Sequence, residues 1–155
     1  MIGLVRFLYL LALALWVGEI VCFSFVVAPA IFGVLGAARA GDVVGAIFPR
    51  YYALGTAAAG VALACGVVLA RRATAEGWWT GALVALALGL AATLWASRVV
   101  HPRAQRLRVA LEARGEAPAS DPAFRRAHRA AVALNGVALL AGLVGLGLSA
   151  GALRQ

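Results

Sequence analysis

Along the chain, long apolar runs alternate with short polar breaks, and the runs set the expected elements. The stretch over residues 4–35 is interrupted only by Glu19 and Pro29. A second run follows Arg39, Gly41 and Asp42 and occupies 43–70, a third covers 78–100, and a fourth covers 124–152. About 20 apolar residues cross a bilayer core roughly 30 Å thick as a helix, so each run is long enough to span. The pattern predicts an all-α membrane protein: a four-transmembrane-helix bundle, forming one integral membrane domain over residues 1–155, with a basic amphipathic segment between helices 3 and 4.

The breaks refine these elements. Pro29 leaves the Phe25 carbonyl without its helical partner, so a bend is expected over residues 25–29. For the second run, one helix from Val43 kinked at Pro49 competes with a short interfacial turn followed by a span that begins at Pro49. The second reading is favoured because residues 49–69 alone are long enough to cross, with Asp42 a candidate N-cap. Arg71-Arg72-Ala73-Thr74-Ala75-Glu76-Gly77 reads as a tight polar turn, and Trp78-Trp79 as an interfacial aromatic anchor. In the polar segment 101–122, Arg103, Arg106, Arg108, Glu112 and Arg114 surround Leu107, Ala110 and Leu111 at helical spacing, the pattern of a basic amphipathic helix on the membrane surface. Pro102 disfavours helix at His101. Residues 115–120 read as a loop, and Asp121-Pro122 as the cap and first residue of the last helix.

Composition agrees with the pattern: 64% of residues are hydrophobic, 13% are charged, and mean hydropathy is +0.94. A water-soluble domain carries about a quarter charged residues. The 14 basic residues are all arginine, against six acids, giving a net charge of +8. These arginines flank apolar runs, which points to the bilayer and anionic headgroups at its cytoplasmic face as partners, and not to nucleic acid. The loops after spans one and three, with their flanks, hold Arg39, Arg98, Arg103, Arg106, Arg108, Arg114, Arg125, Arg126 and Arg129; the other side holds Arg6, Arg71, Arg72 and Arg154. Positive-inside bias therefore places both termini outside and the long basic loop in the cytoplasm. The first run is too long for a secretory signal, and Glu19 is out of place in one, so it is expected to be retained. Glycine pairs at GxxxG spacing, such as Gly41/Gly45, Gly77/Gly81 and Gly147/Gly151, suit close helix packing and leave a homo-oligomer open.

Glu19 is the leading candidate for chemistry. A carboxylate in mid-span costs several kcal/mol unless it is protonated, paired or wet, so it marks the bundle interior, with Trp16 one turn away on its face. Arg50 reaches Glu19 only if the second span begins at Val43; otherwise it snorkels to the interface. Asn135 suits an interhelical hydrogen bond and lies two turns after His128 on the same face. For a metal, Cys22, His101 and His128 are the weak candidates, since two histidines make at most half a site and Cys22 and Cys65 match no ligand spacing. No glycine-rich phosphate loop, carboxylate pair or nucleophile–base order is present, so neither enzymatic activity nor a cofactor is expected.

Trp16-Val17-Gly18, Phe23 to Phe25, Ala28-Pro29-Ala30-Ile31-Phe32, Gly41, Gly45 and Phe48-Pro49-Arg50-Tyr51-Tyr52-Ala53-Leu54-Gly55 resemble the transmembrane protein 205-like domain family. So do Pro102 and Phe124-x-x-x-His128 followed by Asn135, although Ala131, Val132 and Ala133 stand where the family pattern leads one to expect a serine. The resemblance implies a bacterial member in the inner (cell) membrane. The animal relative is associated with resistance to platinum drugs, with export through sulfur contacts; here only Met1, Cys22 and Cys65 carry sulfur. The architecture is also similar to four-helix membrane proteins of copper resistance and protoporphyrinogen oxidation, whose bundle histidines this chain lacks at that depth. The expected function is a small transporter or exporter component for a cation or metal complex, with Glu19, Trp16, Arg50, His128 and Asn135 along its path. The alternatives are a scaffold that does not transport and a haem- or porphyrin-handling oxidoreductase.

Overall fold

In the computed structural model, which describes residues 1–73 and 76–152, the chain is all α-helical. Helix α1 (Ile2–Cys22) passes through a π-helical turn (Phe23–Val27) into α2 (Ala28–Ala70). Helix α3 (Glu76–Trp95) passes through a second π-turn (Ala96–Val100) into α4 (His101–Glu112). A 3-10 turn (Pro118–Ser120) leads to α5 (Pro122–Ala152). Three helical stretches are long and apolar enough to cross a membrane, Ile2–Ala70, Gly77–Glu112 and Pro122–Ala152, and by length and hydropathy this is a multi-pass membrane protein. Of the expected polar turn, Thr74 and Ala75 lie outside the described residues, as does Arg154.

The first stretch is bent double. Gly36 has φ 69° and ψ 170°, a conformation nearly closed to other residues, and it divides the stretch into limbs 2–35 and 37–70. The limbs run antiparallel: Tyr9 lies against Gly66, Glu19 against Gly55, and Phe23 against Phe48. Helix α5 is antiparallel to α3, with Gly81 against Leu148 and Gly145 against Leu86. It is antiparallel to the first limb as well, since Tyr9 meets Ser149 and Trp16 meets Gly142. Trp16, 1% exposed, is the central wedge: a Cβ on Gly89 would stand 2.5 Å from its Cη2 atom, so only glycine admits the indole there.

Both π-turns have the same local cause. Each ends two residues before a proline, Pro29 or Pro102, whose ring cannot bond to the carbonyl four residues back and crowds it. The backbone widens by one residue per turn, so Ala28 N–H bonds to Phe23 O, and His101 N–H to Ala96 O. The expected bend after Phe25 is thus a π-turn, whereas the expected helix break at His101 is absent.

Three further expectations are corrected. No interfacial turn precedes Pro49; residues 37–70 form one helix that absorbs the proline, as membrane helices do when neighbours cover the freed backbone. Asp42 is no N-cap but lies within that helix, ion-paired with Arg108 at 2.8 Å. The basic segment is helical as expected, yet it continues the third long helix and packs against the second limb instead of standing apart from it. Arg108 fixes this contact. It donates to the Ala38 carbonyl at 2.7 Å, to Asp42 and to Glu112, and its guanidinium occupies the space a Cβ on Gly41 would need. Gly41 and Gly45 therefore accommodate Arg108 and Gln105, and not a second helix backbone.

Candidate functional site

A small cavity lies where the two limbs, α3 and α5 converge. Trp16, Glu19 and Ile20 line it from the first limb; Tyr51, Tyr52 and Gly55 from the second; Thr93 from α3; Ala96 from the second π-turn; and Leu134, Asn135 and Ala138 from α5. Its free volume of about 10 Å³ is that of roughly one water molecule. The walls are mostly apolar, so the few polar atoms define its chemistry.

Those polar atoms form a directed set. Tyr51 O–H donates to Asn135 Oδ1 at 2.6 Å, and Asn135 Nδ2 donates to Ser24 Oγ at 3.1 Å. Ser24 sits in the first π-turn, so this chain of bonds joins the first limb, α5 and the second limb. Thr93 Oγ1 donates to the Gly89 carbonyl at 3.0 Å, one turn back in its own helix. Glu19 is the exception. Both of its carboxyl oxygens are buried, and neither has a hydrogen-bond partner among the described residues. Its oxygens lie 3.5 and 3.6 Å from where a Cβ on Gly55 would stand, so the glycine leaves the carboxyl room to enter the bundle. The remaining buried polar atom without a partner among the described residues is Trp79 Nε1, toward the other end of the bundle beside Tyr9.

An aromatic cluster covers the cavity on the side facing the Gly36 bend. The Phe48 ring packs on Phe23 at 5.3 Å, on Tyr51 at 5.7 Å, on Tyr52 at 5.4 Å and on His101 at 5.2 Å between centroids. The two π-turns position its edges, because Phe23 begins one and the His101 N–H closes the other.

The structure separates the residues singled out in the sequence. Trp16, Glu19 and Asn135 line one cavity. Asn135 makes the interhelical bonds expected of it, though none to Glu19. Arg50 is exposed, does not line the cavity and makes no bond to Glu19, although its helix begins before Val43. His128 is exposed and stacks on Phe124, while His101 packs among Phe48 and Tyr52. Cys22 is exposed and Cys65 half-buried near the opposite end, and among the described residues no three His, Cys, Asp or Glu side chains cluster as metal ligands. Sequence reasoning missed Ser24, Tyr51 and Thr93. Tyr51 alone carried a signal, as a polar-tipped aromatic beside Pro49 in a motif already noted.

The family model for a domain of unknown function, DUF4149, matches residues 11–113, more than half of the chain, and the chain belongs to that family. The matched segment holds Glu19, Ser24, Tyr51 and Thr93 and ends before Asn135. No curated protein and no solved structure matches the chain.

Proposed function

We propose that this DUF4149 member is a small multi-pass transporter component that passes a small cation through its helix bundle by way of Glu19. The observation that carries the reading is the Glu19 carboxyl: both oxygens are buried on a cavity and bonded to nothing described. An ionisable group at membrane depth is expensive to keep, and such residues commonly mark ion or proton paths. A cavity of about 10 Å³ suits a water-sized cation and is far too small for a metal complex.

The scaffold alternative explains Asn135, whose amide is bonded on both sides and fastens three segments. It does not explain Glu19, whose carboxyl is bonded to none of the described residues. The haem-handling alternative draws no support from an exposed His128 or from a His101 packed among rings.

In this reading the limbs on either side of Gly36 are separate crossings, so the bundle has four spans, in line with the resemblance to the transmembrane protein 205-like family. Each limb is roughly 50 Å long at 1.5 Å per residue, against a core of roughly 30 Å, so one end overhangs the bilayer. The arginines of α4 favour the cytoplasm for that end, with both termini outside the cell membrane of a bacterium. Flux of protons, sodium and potassium into proteoliposomes tests the function. Native protein should pass one of these cations and the Glu19→Gln variant should not; equal flux by both, or none by either, refutes the reading.

A further inference from the structure

We infer that the cation held at Glu19 is a proton, taken up through a single water molecule lodged in the cavity. This rests on the transport reading and names its substrate.

The Tyr51 hydroxyl proton is committed to Asn135, the Thr93 hydroxyl proton to the Gly89 carbonyl, and Asn135 Nδ2 donates to Ser24. Tyr51 and Thr93 retain only lone pairs, while Asn135 keeps a second N–H and Tyr52 adds a hydroxyl to the wall. None of these groups bonds to the Glu19 carboxyl, and no basic residue among those described lines the cavity. An occupant that brings hydrogens or positive charge of its own completes the unsatisfied carboxyl.

Size and wall chemistry then choose the occupant. A buried water needs about one probe sphere of space and two to four polar partners. The cavity has about 10 Å³, and the oxygens of Glu19, Tyr51 and Thr93 supply the partners. A metal cation keeps its charge when bound and must exchange its water shell for protein oxygens. Here Trp16, Ile20, Leu134 and Ala138 contribute no ligand, and a cavity of about 10 Å³ leaves no room for the waters that would complete a coordination shell. A proton instead cancels the charge it meets. A hydronium proton passes to the cavity water, and the water passes a proton to the Glu19 carboxylate. The products are water and a neutral carboxylic acid. The acid donates its new O–H to that water, and the water donates to Tyr51 or Thr93. No uncompensated charge is left among apolar walls.

The test joins infrared spectroscopy with flux. In native protein, the carbonyl band of a protonated carboxylic acid should appear, shift in heavy water and vanish in Glu19→Gln. Proteoliposomes free of sodium and carrying an internal pH dye should acidify under an imposed proton gradient, at least tenfold more slowly with Glu19→Gln. Gel filtration of both proteins checks that the variant is folded. Flux that requires sodium, together with a carboxylate band that shifts on adding sodium, overturns the proton assignment and leaves the transport reading standing. An acid band without flux of any cation supports the protonated, water-bridged site and sinks transport. Absence of the acid band at every pH tested overturns the inference.

Discussion

The Tyr51 hydroxyl donates to the Asn135 side-chain carbonyl across 2.6 Å, joining residues 84 positions apart at the wall of the Glu19 cavity. Tyr51→Phe removes one donor and should cost about 0.5–1.5 kcal/mol, whereas Asn135→Ala strands both Tyr51 and Ser24 and should cost about 1–3 kcal/mol. Thermal unfolding in detergent of both single variants and the double variant checks this. The double should fall short of the sum, since the two changes share one bond.

Gly89 is expected to be intolerant of any side chain. A Cβ there would stand 2.5 Å from Trp16 Cη2 and 2.8 Å from Ala141 Cβ, so Gly89→Ala should destabilise by about 1–3 kcal/mol through overpacking. Gly60, with open space around its Cβ position, is the control, and Gly60→Ala should be neutral or slightly stabilising.

Arg108 should prove structural at the Gly36 bend. Arg108→Ala forfeits bonds to Ala38, Asp42 and Glu112 and should cost about 1–3 kcal/mol, while Arg103→Ala, at an exposed position, should change little. Gly41→Ala should reproduce the Arg108 effect by displacing the guanidinium. Limited proteolysis near residue 36, faster in Arg108→Ala and Gly41→Ala than in native protein, is the readout.

These residues show what the sequence could and could not disclose. Glu19 and Asn135 were legible because a polar side chain is conspicuous in an apolar run, and the helices because runs of 20 or more apolar residues admit little else. The break between the first two runs was expected somewhere over 36–42, and the structure narrows it to Gly36, with Asp42 inside the helix that follows. Asp42 is held in helix by Arg108, 66 residues away, and no local signal records that partner. The true break, Gly36, is one glycine among 18. Pro29 and Pro102 announced disturbances but not their form, since whether a proline breaks a helix or widens it to a π-turn depends on what covers the freed carbonyl. Ser24 and Thr93 were invisible as site residues because a hydroxyl in a membrane helix ordinarily bonds to its own backbone, as Thr93 does.

The orientation proposed from the arginines is open to a direct check. With Cys22 and Cys65 replaced, a cysteine placed at the exposed Ala117 should resist an impermeant thiol reagent in intact cells and react after permeabilisation. Ready labelling in intact cells inverts the orientation.

The central claim is that Glu19 serves transport and not fastening, and the two roles part in a single comparison. Glu19→Gln keeps the shape and hydrogen-bonding capacity of the side chain but cannot exchange a proton or carry charge. Unfolding temperature and cation flux measured on the same preparations of native and Glu19→Gln protein decide between them. The expected result is an unfolding temperature unchanged within a few degrees and flux reduced at least tenfold; a variant that melts well below native protein, or that transports as well, contradicts the account.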